Sequence, residues 1–380
     1  MPKWDVFFTA MVYNEMYKND AKGIPMYQTV AYENLRGNYL LIDVRSPGEY
    51  DYATIPGAVS LPIFDDEQRS RIGQVYVNES VEKAKKIGIQ AVSERLPHLY
   101  EQIADWNKTY DKLVFFCAKG GMRSASLTAL MVELGISAIK LKDGYKGYRA
   151  LINARLPEVN KGIRYIVLHG KTGTGKTRLL HELKERGFPT LDLEQAANHR
   201  GSLLGSVGLG AENSQKQFES LVYESLSLLQ NAFVFVEGES KRIGKIIIPH
   251  YIFESMNQGT HLLIDASLTF RTEALIEEYT TAPDFKSEMS KSIEKMVKYI
   301  GDKKAKLYCD LIEHEDYEKA AMDLMVNYYD PLYENEFDKH EFNQTFQIDN
   351  VVQGAKAIEA WFKKWENHQE QNQGVRDEAT

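Results

Sequence analysis

Short apolar runs, most of them stopped by a glycine or a charged residue, alternate along this chain with helical patterns. Tyr39-Leu-Leu-Ile-Asp43-Val-Arg45 reads as a buried strand, with Ser46-Pro47-Gly48-Glu49-Tyr50 as the turn behind it. Ile55 to Leu61 predicts a second short strand after a tight turn. Leu113-Val-Phe-Phe predicts a strand that delivers Cys117, and Ser124 to Leu134 a helix that stops at Gly135. Further on, Arg164 to His169 predicts a strand and Arg178 to Arg186 a helix ended by Gly187. Phe233-Val-Phe-Val-Glu237 and His261-Leu-Leu-Ile-Asp265 are two more apolar runs ending in acids. A helical stretch follows over about 270–342, then a strand at Thr345 to Ile348 and an amphipathic helix at Val351 to Trp365. The pattern predicts an α/β protein.

A length of 380 residues suggests two or three domains. The boundaries read as 1–155 for the first and 160–366 for the second, Lys161-Gly162 closing the linker. The segment before Tyr39 reads as an irregular opening, and 367–380, polar and without periodicity, as a disordered tail. Apolar content of 43% and charged content of 26% are those of a globular protein in water. Met1-Pro-Lys-Trp-Asp shows no basic segment followed by an apolar one, and no apolar run nears the ~20 residues a membrane span needs. Two cysteines, Cys117 and Cys309, suggest a reducing cytoplasm rather than a disulfide framework. Cys309, among Leu307, Tyr308 and Leu311, reads as core.

A net charge of −8 argues against a general polyanion binder but leaves room for a local basic face. Between Phe285 and Asp310, Lys286, Lys291, Lys295, Lys298, Lys303, Lys304 and Lys306 outnumber Glu288, Glu294, Asp302 and Asp310. That stretch is either an ordinary solvated face or a contact for an RNA backbone.

Two loops carry chemistry. In Cys117-Ala-Lys119-Gly120-Gly121-Met122-Arg123-Ser124 the glycines allow a tight curl with N–H groups facing inward. The helix behind adds partial positive charge and Arg123 a full one, an anion cradle that favours a thiolate at Cys117. A buried core cysteine before a turn is the ordinary alternative; the flanking glycines and arginine weigh against it. Arg45 and Glu49 are close enough in sequence to pair across their turn, most simply as a structural pair. The second loop, Gly170-Lys-Thr-Gly173-Thr174-Gly175-Lys176-Thr177, is a full G-x4-G-K-[ST] match between strand and helix. Its N–H groups cradle phosphate, Lys176 neutralises it and Thr177 reaches Mg²⁺. Glu237 and Asp265 both qualify as the acid that assists the metal, with a slight lean to Glu237.

The first 150 or so residues resemble the rhodanese family. The resemblance rests on Asp43-Val-Arg45-Ser-Pro47-x-Glu49-Tyr50, Ile55-Pro56-Gly57-Ala58, the Cys117 loop and Leu141-Lys-Asp143-Gly144-Tyr145. It implies an α/β domain whose loop cysteine carries sulfur as a persulfide. Common rhodanese loops place the arginine five residues after the cysteine; Arg123 stands six after, as in dual-specificity phosphatases, which admits a bulkier tetrahedral anion. Those phosphatases carry histidine just before the cysteine, where this chain has Phe116, so phosphatase is the weaker reading.

The second half adds Leu191-Asp192-Leu-Glu194, His199-Arg200-Gly201-Ser202 and Val236-Glu237-Gly238-Glu239-Ser240-Lys241-Arg242-Ile243-Gly244. Together the chain resembles the tRNA 2-selenouridine synthase family over residues 30–350: a rhodanese-like domain, then a P-loop NTPase-like parallel-sheet domain with a helical C-terminal part. Departures are Ala118 and Lys119, where the family has Trp-Arg, and Gly238 and Lys241, where Asp and Arg are expected. They leave substrate preference open.

The resemblance implies replacement of sulfur by selenium in a wobble 2-thiouridine of tRNA, with selenophosphate and geranyl diphosphate as donors and an S-geranyl intermediate. Cys117 is then catalytic, and Lys119, Gly120, Gly121, Met122 and Arg123 bind selenophosphate. Gly170, Gly173, Thr174, Gly175, Lys176 and Thr177 bind a phosphate group, and His199, Arg200, Glu237, Lys241 and Arg242 contact tRNA or substrate. No protein metal site is read; Mg²⁺ carried with a diphosphate at the P-loop is the one cofactor admitted. The rival reading is a sulfurtransferase fused to a nucleotide-binding or kinase domain.

Overall fold

The computed structural model describes residues 27–229 and 232–377. The chain divides into two compact units, Met1–Arg155 and Leu156–Thr380. Most of the irregular opening, 1–26, lies outside the described residues.

In the first unit β1 (Gln28–Val30), β2 (Tyr39–Asp43), β3 (Val59–Ser60), β4 (Lys112–Phe116) and β5 (Ala138–Leu141) form a parallel sheet in the order β1-β5-β4-β2-β3. Leu113 to Phe116 are all fully buried, as expected of a central parallel strand covered on both faces. The predicted Ser46–Tyr50 turn instead opens α1 (Pro47–Tyr52), with Pro47 pre-set for the first helical turn. β3 is shorter than Ile55–Leu61 because Ile55 to Ala58 close a turn: the Ala58 N–H donates to the Ile55 carbonyl at 3.0 Å and Gly57 sits at φ +78°.

Between Leu61 and Leu113, where no element was predicted, α2 (Asp66–Asn78) and α3 (Val81–Trp106) form. A capping box opens α2: Asp65 accepts from the Gln68 N–H at 2.7 Å, and the Gln68 side chain accepts from the Asp65 N–H at 3.2 Å. Ala91, Val92, Leu96, Leu99 and Ile103 of α3 share a core with Leu113, Phe115, Leu127 and Leu130. The last two lie on α4 (Met122–Glu133), and α5 (Gly144–Lys161) then carries the chain into the second unit.

The Arg45–Glu49 pair is not formed. Arg45 forks onto Asp43, two residues before it on the same side of the strand end, with Nε 2.9 and 3.0 Å from the two carboxylate oxygens. Its Nη2 also donates to the Ala53 carbonyl at 2.6 Å. A buried bidentate partner so near in sequence outcompetes the more exposed Glu49.

In the second unit β6 (Arg164–His169), β7 (Thr190–Leu191), β8 (Phe233–Glu237), β11 (Thr260–Asp265) and β12 (Gln344–Gln347) form a parallel sheet ordered β12-β11-β6-β8-β7. β9 (Arg242–Ile243) and β10 (Ile246–Ile247) make a small antiparallel ribbon. Connections include α6 (Lys176–Glu185), α7 (Leu193–Ala197), α8 (Gln215–Ser227) and α9 (His250–Asn257). Between β11 and β12 the helical part holds α10 (Leu268–Tyr279), α11 (Phe285–Ile300), α12 (Asp302–Glu313), α13 (Tyr317–Leu324), a π turn (Met325–Tyr329) and α14 (Asp330–Phe337). Phe285, Met289, Ile293, Tyr308, Leu311 and Leu324 fill its core, with Cys309 half-buried at the margin.

The final helix, α15 (Val351–Asp377), packs Ala355, Ile358 and Phe362 against β6 and α6. It runs past Trp365, the expected helix end, to Asp377, so 367–377 of the expected disordered tail are helical, and 378–380 lie outside the described residues. A packed first half supplies the nucleus, and the Glu- and Gln-rich continuation propagates it at little cost.

Candidate functional site

β4 delivers Cys117 to the carboxyl edge of its sheet, and the chain turns at once into α4. This turn nests against a second one, in which a Cβ on Gly144 would stand 2.1 Å from the Cys117 carbonyl oxygen. Only glycine fits there. The Tyr145 N–H donates to the Cys117 carbonyl at 2.9 Å, and Lys140 Nζ to the Gly120 carbonyl at 3.1 Å. With those carbonyls occupied, the free N–H groups opening α4, where no side chain caps Gly121, remain for an anion.

The Cys117 sulfur is buried, with the Ser124 hydroxyl 3.3 Å away as its donor. Arg123 donates to Glu49 at 2.7 Å, and Arg69 reaches the same oxygen at 3.3 Å. Burial alone would raise the Glu49 carboxyl. The hydrogen bond and charge of Arg123, helped by Arg69 and Arg45, outweigh it and hold Glu49 below the usual carboxylate range. An oxyanion entering here would compete with Glu49 for Arg123. Beside the loop opens a cleft of about 720 Å³ whose lining includes Ile63, Phe64, Ile72, Val77, Met122 and Arg123.

In the second unit β6 ends at His169, and Gly170 to Gly175 wrap into α6. Gly173 sits at φ +80°, and a Cβ there would meet the Arg271 carbonyl oxygen at 2.6 Å. Arg271 is buried, donates to the Thr172 carbonyl at 2.8 Å and forks onto Asp330 at 3.0 and 2.5 Å. It ties the loop to α10 and α14. Lys176 Nζ donates to the Gly170 carbonyl of its own loop at 2.8 Å.

A cavity of about 800 Å³ faces this loop. Glu194, Glu237 and Glu239 line it and bring one carboxylate oxygen each within 4.8 Å of the others. Burial, with Glu239 and Asp192 adding to it against the pull of Lys176 and Thr177, pushes the Glu237 carboxyl up to about 8. Glu194 is raised well above its ordinary value by burial and by Glu237 and Glu239. Burial disfavours the Lys176 cation, yet Tyr333 and the three glutamates outweigh it and shift it upward. Glu237 Oε1 is buried and accepts no hydrogen bond from the described residues. Such a pocket has the charge to receive a cation, or a phosphate that brings one.

The family model of the tRNA 2-selenouridine synthase AAA domain matches residues 163–369, and that of the Rhodanese-like domain residues 28–151. The chain belongs to the tRNA 2-selenouridine synthase family. A family member so named from Bdellovibrio bacteriovorus is 32% identical over 68% of this chain and 68% of its own. One from Hydrogenovibrio crunogenus is 30% identical over 80% of this chain and 91% of its own, and one from Nitrosomonas europaea 33% identical over 63% of each. The first unit is accordingly a rhodanese-like domain and the second a P-loop-like parallel-sheet domain with a helical part.

Among the family-suggested contacts, His199, Arg200, Glu237 and Arg242 line the P-loop cavity with Gly173, Gly175, Lys176 and Thr177. Gly170 and the buried Thr174 shape the loop instead: the Thr174 hydroxyl donates back to the Lys171 carbonyl at 2.9 Å. Lys241 is exposed and outside that lining. Arg200 is held by Glu278 at 2.5 Å and the Val207 carbonyl at 2.6 Å, which suits it to shaping the wall. Of the two acids, Asp265 is engaged by Gln347 at 2.7 Å and by the Ala266 N–H at 2.9 Å, whereas Glu237 faces the cavity. In the first loop Lys119 and Met122 are exposed and Arg123 half-buried.

Sequence reasoning gave no site role to Glu49, Ser124, Glu194 or Glu239. Ser124 follows Arg123 directly and Glu239 follows Glu237 by two, so proximity to the motifs was the available signal. It also missed the meeting of His169, His261 and His340, which no spacing announces.

Proposed function

We propose that this chain is a tRNA-modifying enzyme that replaces the sulfur of wobble 2-thiouridine with selenium. Its donors are geranyl diphosphate and selenophosphate, and the intermediate is S-geranyl-2-thiouridine. The observation that carries the reading is Cys117, a buried sulfur beside a hydroxyl donor and an uncapped helix start, in a chain that also holds a complete phosphate loop. The names of the relatives supply tRNA and selenouridine; the donors rest on the fit of chemistry to residues.

The thiouridine sulfur attacks the allylic carbon, the carbon–oxygen bond breaks and diphosphate leaves. Lys176 and the loop N–H groups receive that developing charge. The Glu194, Glu237 and Glu239 carboxylates with Thr177 fit a magnesium ion travelling with the diphosphate, and the ion would neutralise the leaving group. Selenium then displaces the alkylated sulfur from the base, geranyl thiol leaves, and water breaks the phosphorus–selenium bond. No electrons are gained or lost. Cys117 and Arg123 orient and activate the selenium donor, and the adjoining apolar cleft accommodates the geranyl chain.

For the polynucleotide, Lys291, Lys295 and Lys298 of α11 are exposed at helical spacing, with Lys303 and Lys306 exposed on α12. Among the described residues no helix is long and apolar enough to cross a membrane. Mass spectrometry of tRNA nucleosides, with wild type and Cys117→Ser, tests the proposal. The variant is expected to make no 2-selenouridine while keeping its fold; normal 2-selenouridine from it overturns the role of Cys117.

A further inference from the structure

Three histidines distant in sequence meet at the root of the phosphate loop. His169 ends β6, His261 lies near the start of the neighbouring β11, and His340 sits in the link between α14 and β12. One ring nitrogen of each lies within 4.8 Å of the other two. The ring centroids are 5.0 Å apart for His169–His261, 4.6 Å for His169–His340 and 4.5 Å for His261–His340. His169 and His261 are buried, and His340 is half-buried.

Hydrogen bonding settles which nitrogens carry lone pairs. His261 Nε2 is 3.1 Å from the Asn257 carbonyl oxygen, which can only accept, so Nε2 bears the proton and Nδ1 is free. That Nδ1 accepts from His169 Nε2 at 2.9 Å. The link bearing His340 is fixed to the same strand: the Asn343 N–H donates to the His261 carbonyl at 2.8 Å, and Asn343 Oδ1 accepts from the His261 N–H at 3.1 Å. Gly238 makes the room, since a Cβ there would meet His169 Nδ1 at 2.7 Å. Among the described residues the His340 ring forms no hydrogen bond.

We propose that His169, His261 and His340 form a three-imidazole site for a divalent transition metal of the zinc class. Tetrahedral zinc with ligand bonds of about 2.0–2.1 Å spaces its nitrogens roughly 3.3 Å apart, so small ring rotations complete the set. The His261 Nε2–H bond to a carbonyl is the outer-shell contact that orients a ligating imidazole. On binding, the His169 proton moves from Nε2 to Nδ1, and no proton need be lost. An all-imidazole set selects zinc-like ions over magnesium or calcium. His261 and His340 also line a cavity of about 600 Å³ with Asn257, Lys339, Glu341 and Asn343 among others. A metal here ties the α14–β12 link to the residue directly before Gly170, stiffening the base of the phosphate loop.

The full chain is equilibrated with Zn²⁺ or Co²⁺ alone, freed of excess metal and assayed for metal content, cobalt ligand-field spectrum and melting temperature. One metal per chain, a tetrahedral cobalt spectrum and a higher melting temperature are expected. His340→Ala, at a half-buried link position, is expected to keep its fold and lose affinity at least about a hundredfold, the upper end of what an outer-shell loss costs. His261→Ala should do the same, and His314→Ala, an exposed histidine outside the cluster, should bind as wild type. Sub-stoichiometric binding by wild type, undiminished binding by His340→Ala, loss of metal in His314→Ala, or a thiolate-to-cobalt charge-transfer band each overturns the proposal.

Discussion

Glu237 should make the second unit less stable as the solution turns from acid to mildly alkaline, and Glu237→Gln should remove most of that loss. The carboxyl is buried, and burial together with Glu239 raises it from 4.5 to about 8. Between those pH values the unfolded chain has released the proton while the folded chain keeps it. The folded state then binds more protons, so stability is fully present below 4.5 and drains away as pH rises towards 8. Each pH unit in that window costs about 1.4 kcal/mol, giving at most about 5 kcal/mol across it. Glutamine keeps the shape and cannot ionise. The variant should match the parent near pH 5 and exceed it by a few kcal/mol at pH 8, with Glu194 leaving a residual slope. Thermal unfolding from pH 5 to 8, followed by the fluorescence of Trp361 and Trp365 on α15, reads this directly. Equal slopes in parent and variant would refute the reasoning, because they would mean that Glu237 is already ionised in the folded protein.

Lys176→Ala should slow geranylation of 2-thiouridine about a hundredfold or more, while pre-geranylated tRNA is still converted to the seleno form. Nucleoside mass spectrometry of both half-reactions checks this, and loss of both in a folded variant would point to one shared active site. Arg123→Lys keeps the charge but loses the fork that grips Glu49 and an oxyanion, so turnover should fall with a stability cost of about 1 kcal/mol or less, read by kinetics and calorimetry. Gly238→Ala drives a Cβ to 2.7 Å from His169 Nδ1 and should destabilise by about 1–3 kcal/mol in denaturant unfolding, with relief when His169 is also made alanine.

Both candidate loops were legible in the chain itself, because the chemistry each would perform demands particular residues at fixed local spacing. A cradle after β4 needs glycines and an arginine within one turn of the cysteine, and a phosphate loop needs Gly170, Gly173, Gly175 and Lys176 between strand and helix. Strands buried on both faces also declare themselves, since every residue of Val114-Phe115-Phe116 must be apolar. What local pattern could not supply was partner choice. Arg45 prefers Asp43, Glu49 is shared by Arg123 and Arg69, and Asp265 is engaged by Gln347 while Glu237 faces the cavity. Those outcomes depend on competition for burial and geometry among groups brought together only by the folded sheet. The three histidines are the plainest case: β6 and β11 are neighbours because of strand order, and the link before β12 returns His340 beside them. Sequence dictated the chemistry each loop can offer; tertiary structure decided which charges and rings confront one another, because contacts across a parallel sheet carry no short-range signature.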